Sequence, residues 1–126
     1  MATFELIRRF GSGSTMPSEL DLVAAAHEVL VEDNPACTES DYKEHPSARL
    51  SYGYPDGEKW VVHMLELDRT GTMRYFKMAD QDDAEPEFER ILPRVAEDSA
   101  VRLWRLLLAK NLEEVMSQPW SVQRDV

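Results

Sequence analysis

Cysteine is almost absent from this chain. Cys37 stands alone, so no internal disulfide can form. The first residues, Met1-Ala2-Thr3-Phe4-Glu5, also lack the basic-then-apolar layout of an export signal. The two features together lead us to expect a reducing, cytoplasmic setting. Long apolar runs are missing as well. The longest, Leu106-Leu107-Leu108-Ala109, is far short of the ~18 residues a membrane helix needs, so no membrane partner is expected. Histidines are few (His27, His45 and His63), and none has ligand spacing with another or with Cys37, so neither a metal nor a cofactor is predicted. The chain has no nucleophile elbow, phosphate-binding glycine loop or dinucleotide fingerprint. Gly11-Ser12-Gly13 follows a strand, but its spacing is wrong and the next helix starts too late.

Positive charge is the other shortage. There are 14 Lys and Arg against 24 Asp and Glu, a net charge of −10 over 126 residues. Such a charge repels nucleic-acid phosphates and anionic lipids, which argues against direct binding to either. It favours solubility and would speed encounter with a basic protein. The length fits one domain, which buries roughly two-thirds of its unfolded surface and needs no disulfide or metal to fold.

The clearest positive signal runs from Ala48 to Ala79, a three-strand antiparallel meander rich in aromatics and methionine. Asp56-Gly57 is a strong two-residue hairpin turn, because a type I′ turn needs positive φ at both central residues. It would set Pro55 opposite Glu58, Tyr54 opposite Lys59 and Tyr52 opposite Val61. Arg69-Thr70-Gly71 suits a three-residue loop with a left-handed glycine bulge. That loop sets Glu66 opposite Arg74, Leu65 opposite Tyr75 and Met64 opposite Phe76, an opposite-charge pair and two apolar pairs. Alternation then gives two faces. One carries Leu50, Tyr52, Tyr54, Val61, Leu65, Leu67, Met73 and Tyr75. The other carries Trp60, Val62, Met64, Phe76 and Met78, with Ser51 and Gly53. Both are apolar, so the chain's own helices and loops are expected to cover both, or else one face is kept for a partner.

Around the meander, Ala2 to Phe10 reads as a strand with Phe4, Leu6 and Phe10 on one side, and Gly11 to Ser14 as a flexible connection. Ser18 with Asp21 caps a helix from Glu19 to Glu32. Its buried stripe is read as Leu20, Val23, Ala24, His27, Leu30 and Val31, with Asp21, Glu28 and Glu32 opposite. Ala36 to Pro46 is polar and irregular. A short helix is expected from Glu87 to Leu92, stopped by Pro93. A long one should start near Asp98 or Ser99 and run to about Ser117, burying Val101, Trp104, Leu108, Leu112 and Val115, with Trp120 anchoring the tail. The predicted class is α+β, an antiparallel sheet in the order β-α-β-β-β-(α)-α with helices packed on the sheet. Helix, meander, helix is also the arrangement of double-stranded RNA-binding domains. Their final helix offers basic residues to phosphates, however, and Glu97-Asp98 opens this one with acids, so no family is identified.

Little here assembles chemistry. His63 is mid-strand, near Leu50 and Lys77 in this register, with no carboxylate to orient it as a base. Cys37 and His45 share a loop without the setting an activated thiol needs. Asp80, Asp82, Asp83, Glu85 and Glu87 form a dense acidic run that lacks the central glycine of a calcium loop. The expectation is therefore a non-catalytic module that binds a basic protein, such as a toxin or an enzyme acting on nucleic acid, in the manner of an inhibitor or immunity protein. Tyr52, Tyr54 and Trp60 would form its apolar centre, and Asp80, Asp82, Asp83, Glu85 and Glu87 its steering rim. Three other expectations remain. One is a small enzyme or ligand-binding domain with a pocket between sheet and helices, lined by His63, Tyr75 and Tyr52. Another is an acidic secretion chaperone. The last is a homodimer formed through the first strand or an uncovered sheet face.

Overall fold

A computed structural model of the chain describes residues 3–7, 13–15, 17–30, 47–57, 59–78 and 88–122. Among the described residues one antiparallel sheet contains β1 (Thr3–Ile7), β2 (Gly13–Ser14), β3 (Ser47–Asp56), β4 (Lys59–Asp68), β5 (Met73–Met78), β6 (Phe88–Leu92) and β7 (Ser121–Val122). Their spatial order is β2-β1-β3-β4-β5-β6-β7. Helix α1 (Glu19–Leu30) lies between β2 and β3 in sequence, and α2 (Glu97–Leu108) and α3 (Leu112–Met116) lie between β6 and β7. The class is α+β with the meander at its centre, as predicted. Among the described residues no helix is long and apolar enough to cross a membrane.

The second turn of the meander forms as its residues require. Gly71 takes φ +82, and its N–H donates to Asp68 O at 3.1 Å. The Asp68 side chain accepts from Thr70 N at 2.9 Å and Thr72 N at 3.1 Å, an Asx-type closure that holds the loop in shape. Met64 then faces Phe76, Leu65 faces Tyr75 and Glu66 faces Arg74, the predicted register.

The first turn differs. Asp56 pairs with Lys59, Pro55 with Trp60, Tyr54 with Val61 and Tyr52 with His63, so the turn is centred one residue later than Asp56-Gly57. Asp56 stays in the ladder opposite a lysine, and Gly57 supplies the left-handed conformation at φ +65. The shift moves each pairing by two residues, and side chains alternate with period two. The two faces therefore keep the memberships the sequence predicts.

Three elements depart from expectation. Residues 88–92 form β6 instead of a short helix and pair with β5 from Met73↔Leu92 to Lys77↔Phe88. Pairing satisfies the open edge of β5, which a short helix at this place would leave unpaired. Gly13 and Ser14, read as a flexible connection, pair with Ile7 and Leu6 at the other side of the sheet, on the edge of β1 that a second copy was expected to use. The C-terminal helix is two helices. Lys110 has φ 60, and Asn111 caps α3 by accepting from Glu114 N at 3.2 Å through Oδ1. A side chain suited to an N-cap thus restarts the helix where apolar spacing alone reads as continuous.

Helix α1 begins as predicted. Ser18 Oγ accepts from Asp21 N at 3.2 Å, and Ser18 N donates to Asp21 Oδ2 at 2.8 Å, a reciprocal capping box. The face it buries is not the predicted one. Leu22, Ala25, Ala26 and Val29 are buried, while Leu20, Val23 and His27 are exposed. Both sets recur at helical spacing. The set with two alanines wins because small side chains let the helix lie close to the sheet and to α2. Of the other predicted stripe residues, Ala24 and Leu30 are half-buried, Leu30 packing against the core, and Val31 lies outside the described residues, as do Arg8 to Phe10 at the end of the predicted first strand.

Helices α1 and α2 pack on β3 and β4 from one side. Their buried residues form a single cluster with Leu6, Ala48, Leu50, Tyr52, Leu65, Leu67, Met73 and Tyr75. Trp104 is fully buried, and its Nε1 donates to Leu65 O at 3.1 Å, which ties α2 to the central strand. Trp120 anchors the tail as expected, donating from Nε1 to Val115 O at 2.7 Å with its ring 5.6 Å from Tyr75.

Candidate functional site

On the helix side, the corrected register brings three polar side chains together. His63 is only 5% exposed. Its Nδ1 lies 2.7 Å from the Tyr75 hydroxyl and its Nε2 lies 3.2 Å from the Tyr54 hydroxyl. A neutral imidazole donates one hydrogen bond and accepts one, so one phenol donates to the ring and the other accepts from it. Burial, followed by the Tyr54 hydroxyl beside it, pushes the Tyr75 phenol up to about 12, so Tyr75 keeps its proton at neutral pH. Rings extend this chain outward: Tyr54 lies 5.7 Å and Tyr52 6.1 Å from His63, and Phe4 stacks on Tyr52 at 4.9 Å. The sequence offers every member of this group. His63, Tyr75 and Tyr52 are already expected together on this face from the sequence; the Tyr54 contact was missed because the predicted turn set His63 across from Leu50 instead of Tyr52.

The opposite face has a different make-up. Trp60, Val62, Met64, Phe76 and Met78 are half-buried, and none belongs to the core cluster or to the side chains packed against it. Helix cover of both faces was one expectation; the described α1 and α2 lie on the other face only. Arg49, Glu66 and Arg74 are consecutive cross-strand neighbours here, beside the row Ser51, Met64, Phe76 and Glu89. Arg74 Nη1 lies 3.8 Å from Glu89 Oε1. The Trp60 indole lies against Gly53: a Cβ built on Gly53 would sit 2.8 Å from Trp60 Nε1, so only glycine leaves room for the indole there. This face therefore has an apolar, methionine- and aromatic-rich centre beside a row of charges.

The predicted binding residues are divided between these environments. Tyr52 is buried in the helix-side core and Tyr54 packs against it, so neither joins Trp60 in one patch. Asp80, Asp82, Asp83, Glu85 and Glu87 lie outside the described residues, as do Cys37 and His45. His27, expected to be packed, is instead exposed on α1, where its Nδ1 lies 3.4 Å from Glu97 Oε1 of α2. Among the described residues no group of three or more His, Cys, Asp or Glu is disposed to hold a metal ion. Comparison with family models, curated proteins and solved structures finds no match to this chain.

Proposed function

We propose that this protein is a non-catalytic module that binds a basic protein partner through the sheet face centred on Trp60, Met64 and Phe76. One observation carries the proposal: five large apolar side chains on that face stand outside the core cluster, in a chain of net charge −10. Interfaces enrich Trp, Phe and Met at their centres, while charge complementarity sets the approach and selects the partner. An inhibitor or immunity-type protein that neutralises a basic toxin or nucleic-acid-acting enzyme is the kind of molecule this chemistry suits.

The test begins with the partner recovered on the intact chain at low salt and identified, and continues with the purified pair. Affinity should fall steeply between about 50 and about 500 mM salt as the charges are screened. Met64→Ser with Phe76→Ser should weaken binding by about tenfold or more. A partner without a basic surface, or an affinity that ignores both salt and the double substitution, refutes the proposal.

A second reading, a ligand-binding or enzymatic pocket on the helix side, draws on the Tyr54–His63–Tyr75 chain. A bound small molecule released by His63→Gln, with the fold intact, would favour it over the first.

A further inference from the structure

The connection from β6 to α2 holds an arginine in a costly conformation. Arg94 has φ 58, in the left-handed region where a side chain crowds the backbone. Its neighbours enforce this. Pro93 has a restricted φ, and the buried Val95 donates from N to Gly71 O at 2.8 Å. Glycine would take the same conformation without strain. An arginine standing there at a cost directs attention to what its side chain does.

Arg94 lines a cleft of about 200 Å³ between β6, α2 and the segment after α3. Leu92, Val95 and Leu103 give the cleft an apolar floor, and Arg94, Ser99 and Arg102 add polar groups to its lining. No carboxylate is among the described residues that line it. Glu97 and Asp98 of the same helix line a different cleft, shared with Val23 of α1. One carboxylate comes near: Glu114 Oε1 lies 3.5 Å from Arg102 Nη2, in an exposed pair that contributes little and can yield to a better acceptor. Arg94 has no hydrogen-bond or ion-pair partner among the described residues.

Two guanidinium groups and a hydroxyl beside an apolar floor suit an oxyanion carried on an apolar body. The guanidinium fork matches two oxygens of a carboxylate or a phosphate, and a few polar groups on an apolar lining are the usual make-up of a small-molecule site. The net charge of −10 repels a polyanion, which selects a small molecule over a nucleic acid. We propose that this cleft binds a small organic carboxylate or phosphate ester. Arg94 and Arg102 hold the oxyanion, Ser99 donates to it, and the apolar part rests on Leu92, Val95 and Leu103. None of Trp60, Val62, Met64, Phe76 and Met78 lines this cleft, so this proposal and the partner-binding reading can fail separately.

The test titrates the full chain with benzoate and with phenyl phosphate, followed by the amide shifts of residues 92–103 in two-dimensional NMR. One of the two should saturate with a Kd on the order of 1 mM, and the stronger arm tells whether the head is a carboxylate or a phosphate. Arg94→Gln and Arg102→Gln should each weaken binding by about fivefold or more. Arg94→Gly should weaken it equally while melting at or above the temperature of the parent chain, because it removes the left-handed cost together with the side chain. Arg105→Gln, on the side of α2 that meets Glu19, should leave binding unchanged. Failure of both probes to saturate by about 20 mM overturns the proposal. So does an affinity that both Gln variants leave unchanged, or one that Arg105→Gln weakens as much. Inorganic phosphate bound as tightly as phenyl phosphate, where that is the stronger arm, also overturns it, since the apolar floor would then have no part.

Discussion

The two faces of the β3–β5 meander are made by alternate residues of the same three strands, and both are apolar, yet they have different fates. On one face Leu50, Leu65, Leu67, Met73 and Tyr75 are fully buried under α1 and α2. On the other, Val62, Met64, Phe76 and Met78 stay half-buried beside Arg49, Glu66 and Arg74. Hydrophobicity does not separate the two faces; the way polar atoms are satisfied does. The covered face spends its polar groups internally, through His63, Tyr54 and Tyr75 and through the Trp104–Leu65 bond. The other carries a row of formal charges near the second-turn end of its strands, which a covering helix would have to desolvate.

The strongest test of this difference compares one deep truncation on each face. Trp104→Ala should cost about 3–5 kcal/mol in urea unfolding, since it opens a cavity and leaves the Leu65 carbonyl without its donor. Phe76→Ala should cost about 1 kcal/mol or less. Equal losses would mean that both faces belong to one core.

A pH titration sharpens the same point. Tyr75 has a folded value of about 12 against about 10 in an unfolded chain, so the unfolded state gives up its proton first. Its contribution is intact below about pH 10 and is lost as pH rises toward about 12, roughly 2–3 kcal/mol in all. Tyr75→Phe should lower stability at neutral pH through the lost His63 contact, yet flatten the decline above pH 10. A decline of equal slope in both proteins would mean that the phenol is not held neutral by the fold.

Local chemistry made much of this fold legible. The Gly71 bulge, the Ser18–Asp21 box and the parity of the strands all follow from residues within a few positions of one another, and all appear as expected. Choices between two local solutions were not legible. Leu20, Val23 and His27 are as periodic as Leu22, Ala25, Ala26 and Val29, and only the approach of the sheet decides between them. Phe88 to Leu92 becomes a strand because β5 has an edge to fill, which no feature of those five residues announces. The candidate site shows the same limit. Trp60 was singled out as an interface aromatic, and the predicted register already set Gly53 across from it; the structure moves Gly53 opposite Val62 and still leaves it under the Trp60 indole. The Glu66–Arg74 pair was legible from the second turn, but both faces read as apolar, and which of them the helices cover was not legible.

Gly53 and Trp60 give a smaller test with a change of sign. Gly53→Ala should destabilise by about 1–2 kcal/mol, because the new methyl meets the indole at 2.8 Å and the ring has to move. In a Trp60→Ser background the same substitution should become neutral or stabilising by about 0.5 kcal/mol, since glycine is a poor strand residue once the close contact is gone. Additive effects in the two backgrounds would show that the indole does not rest on Gly53.

The smallest expected effect concerns Arg74. Among the described residues its Nε is buried without a hydrogen-bond partner, and its contact with Glu89 is long, at 3.8 Å, between side chains still 39% and 31% exposed. Such a pair contributes little, while an unsatisfied buried nitrogen carries a desolvation cost. Arg74→Met keeps the length and apolar stem, so thermal unfolding should show no loss and up to about 1 kcal/mol of gain. A loss above about 1 kcal/mol would mean that the charge row braces the sheet as the buried tyrosines do on the other side. The two faces would then differ in their chemistry but not in what they contribute to the fold.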